Sequence, residues 1–395
     1  MTTEWDKQTF TECVHPIRVD RGKQVKAREY LSSGKYPVVD QGQGLVAGWT
    51  DSEAAVIRDG LPYVVFGDHT RLIKYVDFPF ALGADGTKLI KPKDDINPLY
   101  FYFHLLRLDI PSRGYSRHYG LLKEKAISLP PFPEQKKIAA VLLRLQRAIE
   151  TQEKIMQSLS DLKKSTMQHL FTRGLRGEKT KMTEIGEIPE SWEVVRMEVL
   201  GEIVTGTTPP TKRPEYYEGG GYQFIAPADL GETTRIYRSE KEISGQGLAV
   251  SRVLPRHTAC FVCIGSSIGK VGITVAEAST SNQQINAIIP YHDFDPFFVT
   301  FLLLHRSAYI AGFASPSPVP ILSKGKFAEI LIPITRKQDE QKRIQECLLG
   351  IEDKIDLQES KKSALQNLFK TTLNKLMTGD IRVGDLDINV KEVEG

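Results

Sequence analysis

Five polar turns carry the side chains best suited to recognition chemistry: Asp40-Gln41-Gly42-Gln43-Gly44, Gly67-Asp68-His69-Thr70-Arg71, Lys212-Arg213, Gly265-Ser266-Ser267-Ile268-Gly269-Lys270 and Asn282-Gln283-Gln284. Asn and Gln present a donor beside an acceptor, the pattern of adenine's major-groove edge, while Arg and Lys match guanine. Glycine-supported loops bearing such groups suit base reading, and they suit ordinary turns as well. Between Arg107 and Lys125 the basic residues Arg107, Arg113, Arg117, Lys123 and Lys125 face only Asp109 and Glu124. His104, His118, Tyr115 and Tyr119 interleave, as in a phosphate-tracking stretch or a solvated loop. The candidate DNA-contacting residues are therefore Gln41, Gln43, His69, Arg71, Lys74, Lys88, Arg113, Arg117, His118, Lys212, Arg213, Ser266, Lys270, Asn282, Gln283, Gln284 and Lys324.

Catalytic patterns are weaker. Asn97-Pro98-Leu99-Tyr100 differs by one residue from the Asn-Pro-Pro-Tyr/Phe loop with which adenine methyltransferases hold a flipped base. No cofactor-binding glycine motif precedes it, and a helix cap explains it as well; a stand-alone adenine methyltransferase using Asn97 to Tyr100 is the alternative reading. Gly265 to Lys270 has three residues between its glycines where a phosphate loop has four, and Val271 stands where Ser or Thr would bind magnesium. A strand-to-strand turn is expected there. Glu134-Gln135-Lys136 and Glu340-Gln341-Lys342 have the spacing of metal-dependent nucleases but open two long helices, where acids also favour the helix dipole. Cys260 and Cys263 sit in a buried-strand pattern, with side chains leaving on opposite faces and no second pair to complete a zinc site. No catalytic or metal-ligating residue is expected.

The elements that hold these turns are announced by a repeat. Glu134-Gln-Lys-Lys-Ile138 returns as Glu340-Gln-Lys-Arg-Ile344, an offset of 206 (340 − 134), and the match continues for roughly forty residues without a gap. Apolar residues at alternating steps of three and four predict two long helices with coiled-coil seams. The seams run through Ile138, Leu142, Leu145, Ile149, Gln152 and Leu159, and through Ile344, Leu348, Ile351, Ile355, Gln358 and Leu365. The glutamine in each seam fixes register or marks a pause. Each helix would be ~60 Å long at about 1.5 Å per residue and needs a partner, for which its own copy is the obvious choice. Antiparallel pairing with approximate two-fold symmetry would make the pair a ruler between two variable domains.

The expected order is a first variable domain over 1–130, a long helix in 131–177, a second variable domain over 178–333, a long helix in 334–380 and a frayed tail over 381–395. Strands are expected at Tyr36 to Val39, Tyr63 to Phe66, Leu72 to Val76 and Lys88 to Lys91. The second domain repeats them at Tyr222 to Ala226, Ala259 to Ile264, Val271 to Val275 and Ile285 to Ile289. A short helix then opens on Asn97-Pro98 or Asp295-Pro296, a strong start signal. The fold class is α+β: two mixed α/β domains separated by a pair of long antiparallel helices, in an internal pseudo-two-fold repeat. Within 395 residues, 41% hydrophobic and 26% charged residues allow real cores. The net charge of +3 neither requires nor excludes a polyanion. Four cysteines form no disulfide framework, and no leader or spanning segment is seen, so a cytoplasmic protein is expected.

Taken together, Leu129-Pro-Pro-Phe-Pro-Glu-Gln-Lys-Lys-Ile138, Leu170-Phe-Thr172, Ile185-Gly-Glu-Ile-Pro-Glu-Ser-Trp192, Ile268-Gly-Lys-Val-Gly272 and Asn282-Gln-Gln284 resemble the specificity subunit of type I DNA restriction-modification enzymes over nearly the whole chain. The second copy departs by three extra residues between Pro333 and its Glu-Gln-Lys box. The resemblance implies two target-recognition domains, each reading one half of a split, asymmetric site in double-stranded DNA. It implies helices that set the spacer and dock methyltransferase subunits, two in number, with restriction (translocase-nuclease) subunits joining the assembly. It implies a non-catalytic chain: S-adenosylmethionine, ATP and Mg would belong to the partner subunits and no cofactor to this one.

Overall fold

The computed structural model describes residues 5–17, 24–83, 86–112, 114, 116–231 and 233–393. The chain forms two compact units, one of residues 1–154 with 359–395 and the other of residues 155–358. Two long helices, Phe132–Arg173 and Gln338–Thr378, each contribute one part to either unit. Both begin two residues before the Glu of the repeated box. The extra residues before the second box are therefore absorbed ahead of the helix and leave its start unchanged.

In unit 1 a three-stranded antiparallel sheet is ordered Ile73–Val76, Tyr63–Gly67, Thr87–Ile90. A four-stranded mixed sheet is ordered Gly48–Thr50, Tyr36–Val39, Phe80–Leu82, Val56–Ile57, with its central pair parallel. The strand Asp6–Thr9 pairs antiparallel with Ala126–Leu129, just ahead of the first long helix. Unit 2 repeats this plan. Its four-stranded sheet runs Lys241–Ile243, Tyr222–Ile225, Ala278–Ser281, Leu254–Pro255, again with a parallel central pair. Glu193–Arg196 pairs antiparallel with Leu331–Ile334, ahead of the second long helix. Its other sheet is larger by one strand at each edge: Gly201–Thr205, Ile285–Pro290, Ala259–Val262, Val271–Thr274, Arg235–Ile236.

The short helices start where the sequence puts them. In Pro98–Arg107 the Asn97 side chain accepts from Tyr100 N at 3.0 Å; in Pro296–His305 Asp295 accepts from Phe298 N at 2.9 Å. Pro at the first helical position removes one donor that would lack a partner, and the cap satisfies another. Aromatic residues on each short helix bury against a long helix. Tyr100, Phe101 and Phe103 share a core with Ile138, Leu142, Leu373, Leu376 and Met377; Phe298 and Phe301 share one with Phe171, Trp192, Ile344 and Leu348.

Each unit thus contains the start of one long helix packed beside the end of the other, so within each the two run antiparallel. Ion pairs mark the register: Glu153 with Lys362 at 2.8 Å in unit 1, and Lys163 with Glu352 in unit 2. Seam burial is uneven. Ile138, Leu142, Ile344, Leu348 and Ile351 are buried, whereas Leu145, Ile149, Gln152, Leu159, Ile355, Gln358 and Leu365 are half-buried. The ends lie in broad cores and the middles rest on a narrow face.

The expectation of a frayed tail is corrected up to residue 393. Val383 and Val393 are buried in the unit 1 core. Lys137 and Arg144 donate to the carbonyls of Gly384 and Asn389 (2.6 and 2.7 Å), and Arg147 pairs with Glu392 at 2.6 Å. Basic residues on the first long helix hold the tail through two backbone carbonyls and the Glu392 carboxylate, which composition alone does not reveal.

Candidate DNA-reading frame

The repeated box is a joint. Gln135 and Gln341 are both buried, and each carboxamide oxygen accepts the backbone N–H of a short-helix cap residue, Asn97 at 2.9 Å and Asp295 at 2.7 Å. Their amide groups donate to the carbonyls of Pro130 and Thr335, both at 2.9 Å. One side chain therefore locks the start of each long helix to the short helix beneath the sheets. The box glutamates close the other end. Glu134 receives Arg382 Nε and Nη2 at 2.9 and 2.8 Å and Val383 N at 3.2 Å. These bonds, the arginine's first, hold its carboxyl below the usual value. Glu340 accepts from Thr335 Oγ1 at 2.8 Å, Leu175 N at 3.3 Å and Trp192 Nε1 at 3.4 Å. Both glutamates are held in these bonds, so the nuclease-like spacing serves as a structural clasp. Arg382 lies 206 residues after Arg176, and Trp5 occupies the place of Trp192 before the paired strand, with Arg382 5.2 Å from its ring. Sequence reasoning missed both, although the same offset carried to Arg176 finds Arg382.

The turns expected to read DNA in unit 1 interlock. Gln41 accepts His69 N through its side chain (3.2 Å) and Thr70 Oγ1 through its carbonyl (2.7 Å). Arg71, in the left-handed region at φ 63°, donates to Ile110 O at 2.9 Å. Asp68, 2% exposed, accepts Tyr119 N and lies 3.8 Å from Lys88 Nζ. Gln43 and Arg117 are exposed. Two expectations are corrected. Lys74 is buried and donates to the carbonyls of Asp40 and Gly44, burial lowering its pKa. His118 is fully buried, with Nδ1 2.9 Å from Asp68 O. Both hold loops from behind: each loop turns backbone carbonyls inward, where the Lys74 ammonium and the His118 ring nitrogen meet them. Arg113 lies outside the described residues, as does Tyr115.

In unit 2, Lys212, Arg213, Ser266, Gln283 and Lys324 are exposed. Asn282 accepts Gln284 N at 3.0 Å and donates to Gln284 Oε1 at 3.1 Å, a local turn with Gln283 at its tip. Gln283 accepts from Thr208 Oγ1 at 2.6 Å, which draws in the Thr205-to-Pro209 segment. Arg252, exposed and bonded to Thr205 O at 2.7 Å, joins the same surface and was missed, since a lone Arg after a short helix carries no pattern. Residues 265–270 form a turn between two strands, with Lys270 reaching Pro227 O at 3.3 Å. Cys260 and Cys263 belong to different cores, as alternation on a strand requires, and burial pushes their thiols up to about 12 and about 11. Asn97 is 3% exposed, and both ends of its amide are used: Oδ1 accepts Tyr100 N, and Nδ2 donates to Val393 O at 3.2 Å. Its amide serves as the helix cap and holds the tail.

The model of the type I restriction modification DNA specificity domain matches residues 4–160 and again 189–367. The EcoR124I/EcoR124II specificity subunit of Escherichia coli is 24% identical over 345 residues, covering 84% of this chain and 82% of the relative. The MjaVIII specificity subunit of Methanocaldococcus jannaschii is 28% identical over 336 residues, covering 78% and 75%. Among solved structures, the S subunit of a type I restriction-modification system from M. genitalium superposes with a TM-score of 0.64 at 15% identity, covering 95% of this chain and 97% of that one. Two family domains in tandem, each ending in its own copy of the box-led helix, place this chain in the type I restriction-modification DNA specificity family.

Proposed function

We propose that this chain is the sequence-reading subunit of a cytoplasmic type I restriction-modification complex, each unit reading one half of a split, asymmetric site in double-stranded DNA. The observation that carries this reading is the duplicated joint: Gln135 and Gln341 fasten two alike frames whose outward turns, Gln43 and Arg117 in one and Lys212, Arg252 and Gln283 in the other, are unlike. Alike frames with different exposed donors suit two different sequences. The long helices fix the spacer between half-sites and dock two methyltransferase subunits, with restriction subunits joining them. The chain itself is non-catalytic: S-adenosylmethionine, ATP and Mg are handled by those partners.

The test is to map modified bases in cells expressing this chain with its methyltransferase, before and after one helical turn is inserted into both long helices. The expected result is unchanged half-sites with an altered spacer. An unaltered spacer would overturn the spacing role.

A further inference from the structure

The two units differ at one matched place. In unit 2 the strand Arg235–Ile236 adds parallel to the edge of Val271–Thr274, with Arg235 opposite Ile273. Arg235 then reaches Asp353 at 2.7 Å and Asp356 at 3.8 Å and lies 5.8 Å from the Phe297 ring; its neighbour Thr234 bonds buried Glu352. In unit 1 the matching edge, Ile73–Val76, has no strand beside it among the described residues. The reason is chain length. The connection after Tyr36–Val39 has only residues 40–47 before the next strand, whereas in unit 2 it spans 226–240 and contains Arg235–Ile236.

The place left open is a groove of about 670 Å³. Its walls occupy the positions that line the filled site. Counted from the caps, Leu99 stands for Phe297; by the 206 offset, Gln146, Arg147 and Glu150 stand for Glu352, Asp353 and Asp356, so of the three acids only the last is kept, as Glu150. Tyr75, counted back through the paired strands, stands for Ile273. The groove's charge is acidic: Asp77 and Glu150 form no ion pair among the described residues, Arg147 is matched by Glu392, and Lys74 is spent on backbone carbonyls. A groove with Asp77 and Glu150 in its walls, beside an edge that no described strand covers, favours an extended basic peptide.

We propose that the edge of Ile73–Val76 accepts an extended, arginine-bearing segment of the partner methyltransferase subunit, added as a parallel strand with its arginine opposite Tyr75 and directed to Glu150. This rests on the functional reading above, that the chain works within such a complex. The test compares amide hydrogen exchange in the isolated chain and in the co-purified complex with its methyltransferase subunits. Exchange at 73–76 is expected to slow by about tenfold or more on assembly, while residues 271–274, already flanked, change little. The double variant Asp77→Lys, Glu150→Lys is expected to weaken assembly by about tenfold or more, without altering the isolated chain's thermal midpoint. A complex that forms with unchanged exchange at 73–76 overturns this proposal alone. Protection of the same amides by DNA without the partner also overturns it. Failure of the unaltered chain to form any complex overturns the functional reading and this proposal with it.

Discussion

Single residues divide into those that meet solvent and those that aim them. Arg117 and Lys212 are exposed and free to neutralise a phosphate. Replacing either with Ala is expected to lower DNA affinity and reduce the slope of log K against log salt by about 1, measured by titration at several salt concentrations. Lys74 acts behind the surface, so Lys74→Met is expected to blur recognition of one half-site, read as relaxed base preference in mapped methylation, with the salt slope unchanged. The sequence shows that Lys74 and Arg117 are both basic. It does not show which one lies beneath a loop, because that depends on carbonyls from Asp40 and Gly44, 34 and 30 residues away. His305, stacked on Phe171 at 5.2 Å, is held to about 4 by burial and then by the neighbouring Arg306 charge. Its usual value is 6.5, so the unfolded chain binds the proton more readily in between. Its contribution to stability is full above about 6.5 and is lost as the pH falls toward 4. His305→Phe is expected to flatten the acid limb of the stability profile measured by urea unfolding.

At the scale of elements, local rules were legible and pairings across the chain were not. Both short helices were visible from Asn97-Pro98 and Asp295-Pro296, and both long helices from their apolar spacing, since caps and periodicity are properties of neighbouring residues. The strand Arg235–Ile236 was not: it is two residues long and exists only because Val271–Thr274 offers an edge. The role of the box was half visible. Its repetition marked Gln135 and Gln341 as a pair, but only packing shows that each holds a helix cap. Gln341→Leu is expected to leave Asp295 N and the carbonyl of Thr335 without partners, costing about 1–3 kcal/mol in denaturant unfolding. The loss should fall on unit 2, readable as faster amide exchange in Pro296–His305 than in Pro98–Arg107.

For the whole molecule, the informative fact is that the last residues belong with the first. Arg382, Val383 and Val393 complete the unit that begins the chain. Glu134, held below its usual 4.5 by Arg382, gives stability that is fully present above that value and disappears as the pH falls through the depressed one. Arg382→Ala is expected to cost about 1–3 kcal/mol near neutral pH and little in strong acid, checked by unfolding at both. Composition described residues 381–395 only as acidic and short, which is why the sequence pointed to a loose end.

A ribosome makes this chain from one end, and that order has a cost. The N-terminal reader emerges with its strands and short helix in place but without residues 359–393, so it waits, unfinished, through the synthesis of its entire sister. A premature stop late in the message would spare the sister and cripple the part made first.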